Sequence, residues 1–332
     1  MNFRTEINAQ RADTLIDYNT PLFFMGSCFA GDVGAYLKEG KFDTLINPFG
    51  VLYNPVSLAK GLQLLIENRT FTETDLYKYK GRYLSFFHDS TFSSPESGDA
   101  LERINNGINN ASSRLQKAKF LFITFGTARV YRLIESNEIV SNCHKIPASE
   151  FERELLNASS IAMEWSKLLG DLRKFNPGLK IVFTVSPVRH WKDGAYGNQL
   201  SKSVLFLAID ELMKKEYSLS YFPSYELMID DLRDYRFYKK DMLHPSPQAV
   251  EYIWDFFRST WFSEESNAKY KEISKIVDAV GHRLISDNPD ELTAFRDVML
   301  KKIDSFQDKY ALPELSEERE YFEKLSLTAK GA

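Results

Sequence analysis

The chain has 332 residues and is 14% aromatic, with 25 Phe and 17 Tyr; that is enough apolar material for a sizeable core and excludes a disordered polymer. Its formal charge of -4 leaves no electrostatic footprint for nucleic acid. Two cysteines, Cys28 and Cys143, are too few for a disulfide scaffold and point to a reducing compartment, for which the cytoplasm is expected. The charged N-terminal stretch Met1 to Ile7 lacks the apolar core of a signal peptide, and no later stretch is long and apolar enough to span a bilayer, so no membrane partner is expected.

In chain order, Leu22-Phe23-Phe24-Met25 is an apolar run that ends abruptly in Gly26-Ser27-Cys28-Phe29-Ala30, and the spacing after it predicts a strand, a tight turn and a helix N-terminus. Phe42 to Ile46 reads as a second strand. Asn47 to Pro55, with two prolines and Gly50, reads as a loop before another helix. The stretch 71–110 holds polar turns and the aromatic patch Tyr83 to His88, and is expected to be an insertion that forms a lid or substrate wall. A helix over 100–119 leads to the buried strand Phe120 to Phe125, which ends in Gly126, Thr127 and Ala128; Val130 to Val140 then predicts a hairpin turning at Glu135-Ser136-Asn137. Residues 151–176 have helical spacing, Lys180 to Val185 is a further strand, 199–215 a helix, and 219–223 a short strand. Strand and helix alternating at this interval argue for a mostly parallel sheet with helices on both faces, in which ligands bind at the carboxyl ends of the strands. Pro245 and Pro247 suit the start of a helix through Phe257, and from 263 onward the sequence is charged and helical.

Ser27 and Cys28 are neighbouring nucleophiles at a turn where free N–H groups and the helix dipole can stabilise an anion. A serine there needs a base, and Asp241-Met242-Leu243-His244 supplies one: the Asp can fix the ring tautomer while the other nitrogen faces the nucleophile. Arg189 and His190 sit in a stretch, 186–198, that reads either as a pocket loop for an acidic or hydroxyl-rich substrate or as a solvated loop. Asn142 and His144 flank Cys143, where a structural zinc centre is excluded by the cysteine count and a role in shaping the pocket is the alternative.

Gly26-Ser27-Cys28-Phe29-Ala30 resembles the signature that gives the GSCFA family its name, and with Asp241 and His244 the chain is similar to a divergent branch of the SGNH/GDSL hydrolases over roughly Phe23 to Trp254. The resemblance implies an α/β, flavodoxin-like three-layer sandwich and a serine esterase without cofactor. Ser27 is then the nucleophile, His244 the base and Asp241 its orienting carboxylate. The resemblance further implies an oxyanion hole from the N–H groups of Ser27 and Gly50. The family's third block carries an asparagine donor where this chain has Ala128, so Thr127 or Asn142 is the expected replacement. The implied substrates are acyl, including O-acetyl, esters of carbohydrates or small molecules. Acyl transfer by the same residues, nucleophilic Cys28, and a non-catalytic binding module remain alternatives. The expected organisation is a hydrolase domain over 1–262 with its insertion at about 71–110, and a helical appendage over 263–332; oligomeric state is left open.

Overall fold

A computed structural model describes residues 4–215, 218–281 and 288–328. The chain groups into two compact units: Met1–Ala9, Pro21–Gly34 and Thr44–Phe257 form the first, and Gln10–Thr20, Ala35–Asp43 and Arg258–Ala332 the second.

The first unit is built on the strand β1 (Leu22–Gly26), which is buried along its whole length and is followed by the helix α1 (Cys28–Glu39). β2 (Thr44–Ile46) pairs with β1, and α2 (Pro55–Ile66) follows, started by Asn54, whose side chain accepts from Ser57 N. A hairpin, β3 (Tyr77–Tyr79) and β4 (Arg82–Leu84), precedes α3 (Ser97–Lys117). β5 (Phe120–Phe125) then enters the sheet beside β1. β6 (Arg129–Leu133), β7 (Glu138–Val140) and β8 (Phe151–Leu155) form a separate antiparallel sheet in the order β7-β6-β8. After α4 (Ala158–Phe175), β9 (Lys180–Val185), α5 (Gly194–Lys215) and β10 (Leu219–Phe222) complete the main layer. The one-turn α6 (Ser224–Glu226) leads toward α7 (Pro247–Trp261).

The main sheet is parallel throughout, in the order β10-β9-β5-β1-β2. Counting only its own strands, this is the flavodoxin-like order 2-1-3-4-5, and the order reverses between β1 and β5. Every residue of β1 and β5 is buried, as expected of a parallel sheet covered on both faces. The alternation decides which face each side chain serves. Phe23, Met25, Leu121, Ile123 and Phe125 join the core made with α2, α3, α4 and α5, where Trp165 packs edge-on to Phe125 and Phe183. Phe24 and Phe122 point the other way, stack at 4.5 Å, and meet Phe257 of α7. The architecture is therefore the expected three-layer α/β sandwich.

Two readings are corrected. Residues 151–176 do not form one helix: Phe151–Leu155 is a strand, and the helix starts after the cap Asn157, whose side chain accepts from Ser160 N. Cross-strand partners decide this, because Arg132 holds Glu154 through two hydrogen bonds, at 2.5 and 3.1 Å, on the neighbouring strand. The stretch from Gly194 to Asn198 is not loop but the first turn of α5, which begins five residues earlier than expected.

In the second unit, α8 (Glu264–Gly281), α9 (Pro289–Lys309) and α10 (Ser316–Thr328) are helical as expected. Ile273, Ile276, Met299, Ile303, Phe306 and Phe322 are buried there. Lys41 is paired with Glu317 and Glu318, each at 2.7 Å. Among the described residues no helix is long and apolar enough to cross a membrane.

Candidate active site

The site begins where β1 stops. Gly26 adopts φ +151°, and a Cβ placed on it would fall 2.4 Å from Thr124 O on β5, so the strand-to-helix turn needs glycine. The turn is held on both sides: Gly26 N donates to Asn47 Oδ1 at 2.8 Å, Gly26 O accepts from Leu52 N, and Ser27 N donates to Thr124 O at 3.2 Å. Gly126 N and Thr127 N both donate to Tyr53 O, which fixes the 47–54 loop across the end of β5. These contacts cluster the carboxyl ends of β1 and β5, the point where the strand order reverses and where open α/β sheets bind ligands.

A cavity of about 490 Å³ opens there. Cys28, Tyr53, Asn54 and Thr127 line it, together with residues of the β6–β8 sheet, the 141–143 segment, 188–192, Leu243 and His244. Cys28 lines it, whereas Ser27 does not: Ser27 is 1% exposed and its Oγ has no hydrogen-bond partner. Burial pushes the Cys28 thiol up, Asp32 adds to this, and the N–H groups of Phe29 and Cys28 together with Lys202 oppose it. The resting thiol is therefore protonated at neutral pH and needs a base to become a nucleophile.

Asp241 and His244 are brought together. His244 Nδ1 lies 2.6 Å from Asp241 Oδ2, while Asp241 Oδ1 accepts from the backbone N–H groups of Leu243 and His244 at 2.9 and 3.0 Å. Those N–H donors, and then the ring, hold the Asp241 carboxyl down to about 2. Arg189 N bonds Leu243 O at 3.2 Å and Lys239 N bonds His244 O at 2.8 Å, so backbone rather than helix packing sets where the imidazole stands.

The remaining expected residues separate into two groups. Arg189, His190, Thr127 and Asn142 line the cavity. His190 meets the Tyr53 ring edge-on at 5.5 Å, and burial, then Lys202 and Arg153, lower its pKa to about 4, which keeps it neutral. Thr127 is already engaged: its N–H donates to Tyr53 O, and its hydroxyl lies 2.9 Å from Ser201 Oγ and accepts from Arg129 N. The Asn142 carboxamide oxygen accepts from His144 N, and the residue lines both this cavity and the neighbouring one. Gly50 and His144 are not brought to this lining. Gly50 N donates to Asn47 O, and its φ of +80° with Asp89 packed against its α-carbon fits turn geometry. His144 lines a neighbouring cavity, with Nε2 2.9 Å from Ser85 O.

Several lining residues had drawn no notice in the sequence: Tyr53, Asn54, Arg129, Arg153 and Lys192. Beneath the cavity lies Lys202, 1% exposed, with Nζ 2.7 Å from both Gly126 O and Ser186 O. It ties the ends of β5 and β9 together, and burial lowers its pKa to about 7. Its signal was legible, since a lysine interrupts the buried stripe Asn198, Ser201, Leu205, Ala208, Ile209 of α5. Among the described residues no cluster of three or more His, Cys, Asp and Glu has metal-binding geometry.

The family model described as the GSCFA family matches residues 21–257. No curated protein matches the chain in sequence. Solved structures with similarity include a carbohydrate esterase family 3 protein from Talaromyces cellulolyticus, 10% identical with a TM-score of 0.35, over 76% of this chain and 99% of that one. A Bacteroides fragilis protein provisionally assigned as an acylhydrolase is 11% identical with a TM-score of 0.37, over 77% and 91%. An acetyl xylan esterase from Butyrivibrio proteoclasticus is 11% identical with a TM-score of 0.35, over 74% of this chain and 65% of its own.

Proposed function

The chain belongs to the GSCFA family, and from that premise and the geometry of its cavity we propose that it is an acyl-ester hydrolase. The observation that carries the reading is the Asp241–His244 pair: with Nδ1 held at 2.6 Å by the carboxylate, Nε2 is the nitrogen left to act in the cavity that the β1–α1 turn also reaches. His244 takes the nucleophile's proton as the acyl carbon is attacked, then returns it to the leaving alcohol; water releases the acyl group by the same path in reverse. Asp241 holds the tautomer and stabilises the imidazolium. The tetrahedral oxyanion is assigned to the N–H groups at the start of α1 and to the Asn142 carboxamide, which stands in for the side-chain donor missing at Ala128. Small acyl esters and O-acetylated sugars are the substrates that the family resemblance brings forward. No cofactor enters this scheme.

Ser27 is the nucleophile expected from the family pattern, and it serves only where a rotation exposes its buried Oγ. A second reading, favoured by the cavity lining, gives the attack to Cys28, with the thioester as intermediate. Hydrolysis of 4-nitrophenyl acetate and acetylated sugars by the wild type, Ser27→Ala, Cys28→Ala and His244→Ala decides between them. His244→Ala is expected to lose on the order of a thousandfold in kcat/KM. Loss of similar size in Ser27→Ala alone selects Ser27, and in Cys28→Ala alone selects Cys28. A folded wild type that turns over none of these esters, or a His244→Ala protein as active as the wild type, overturns the hydrolase.

A further inference from the structure

The charge of the cavity is not that of the chain. The sequence carries a formal charge of -4, yet the cavity lining holds Arg129, Arg153, Arg189 and Lys192 and no carboxylate. One carboxylate outside the lining, Asp193, serves two of the four: it forks onto the Arg153 guanidinium and lies 3.8 Å from Arg129 Nε. No Asp or Glu among the described residues is ion-paired with Arg189 or Lys192. Their partners are aromatic instead, with Arg189 over the Trp191 ring at 4.9 Å and Lys192 bonded to Tyr131 Oη at 2.7 Å. The Nε atoms of Arg129, Arg153 and Arg189 are buried without a hydrogen-bond acceptor. His190, held neutral, adds no charge of its own. The carboxylate of the Asp241–His244 pair is committed to the imidazole and two backbone N–H groups.

Guanidinium and ammonium groups without a carboxylate partner, converging on one cavity, are the arrangement that recognises an oxyanion, because a guanidinium fork matches two oxygens of a carboxylate, sulfate or phosphate and an ammonium adds a point charge beside it. We propose that the ester taken by this site carries such an oxyanion in its acyl or alcohol half, bound by Arg189 and Lys192 beside His244. The proposal names the substrate class of the hydrolase reading and rests on it for turnover, but its binding component stands apart. Arg189 suits the role by position, since its backbone is bonded to Leu243, next to the general base.

The test pairs each anion with a neutral partner of the same chain or ring. Turnover compares 4-nitrophenyl hydrogen succinate with 4-nitrophenyl butyrate, and O-acetylated galacturonic acid with O-acetylated galactose. Calorimetry compares succinate with succinamide, and the methyl glycoside of galacturonate, its carboxylate free, with methyl galactoside. A preference of about tenfold or more for at least one anion is expected, together with collapse of that ratio in Arg189→Gln and Lys192→Gln and weakening by salt. Succinate preference places the oxyanion in the acyl half, galacturonate preference in the alcohol half. Anion-selective binding without turnover of any ester retains the oxyanion site and removes the hydrolase. Equal binding of both members of each pair, or a preference untouched by both variants, overturns the proposal even where neutral esters are hydrolysed.

Discussion

At the scale of single residues, the site turns on groups that burial has moved from their usual state. Lys202 is the clearest. An amine has two N–H donors and meets two carbonyl acceptors, so it loses its third proton on burial without losing a bond. Its folded pKa is about 7, below the ordinary lysine value. Between pH 7 and the unfolded pKa the unfolded chain therefore binds more protons than the folded one, and this group adds stability as pH rises. Relative to Lys202→Met, the wild type is expected to gain on the order of 1 kcal/mol or more from pH 7 to pH 9. Urea midpoints measured across that range check it, and a wild-type-to-variant difference that stays flat would mean that Lys202 is not neutralised. Ser27 and Cys28 show the same dependence on burial in another form. Two adjacent nucleophiles are equal in a sequence, and only the turn decides which of them faces the cavity and which is enclosed.

At the scale of elements, the strand-turn-helix at 22–39 is the piece on which the others are arranged. Its apolar run is buried on both faces, and the positive φ of Gly26 lets β1 pass within bonding distance of Thr124 before α1 begins. Gly26→Ala would combine backbone strain with a clash against β5, and a loss of about 2–5 kcal/mol is expected. A chemical denaturation midpoint equal to that of the wild type would rule out the tight approach. The antiparallel sheet after β5 is the second deciding element. It carries Arg129, Tyr131 and Arg153 to the cavity, and Arg153 reaches it because Phe151–Leu155 is a strand rather than the opening turns of a helix. The apolar spacing of Leu155, Leu156 and Ile161 runs on smoothly into α4, whereas the partner that makes 151–155 a strand, Arg132 on β6, lies some twenty residues away in sequence.

Across the whole molecule, acidity acts against the fold through histidines kept neutral and a carboxylate kept charged. His88 is enclosed by Phe49, Phe71 and Phe92, and burial lowers its pKa to about 3; His190 is lowered to about 4, and Asp241 to about 2. For each the folded pKa lies below the unfolded one, so the unfolded chain takes up more protons as pH falls. The two histidines act from about pH 6.5 downward and Asp241 below about 4. Stability is expected to drop by up to about 1.4 kcal/mol per pH unit for each histidine over that range. His88→Phe should flatten the decline, and a variant with the same pH slope as the wild type would show that the His88 ring is charged in the folded state. How much of this protein could be read before its structure follows from the range over which each signal acts. The sequence by itself determined what depends on neighbours along the chain: the buried strands and their order of appearance, the α/β class, the family signature at 26–30, and the Asp241 and His244 pair, whose three-residue spacing already brings ring and carboxylate together. The tertiary structure alone decided what depends on distant partners: which of Ser27 and Cys28 lines the cavity, that Gly50 stays at its turn, that 151–155 is a strand, and that Arg129, Arg153, Arg189 and Lys192 meet around one cavity. Local propensity cannot encode these, because they arise where strand ends from separate parts of the chain are bonded side by side, and the charge and burial of each group are then set by residues it never neighbours in sequence.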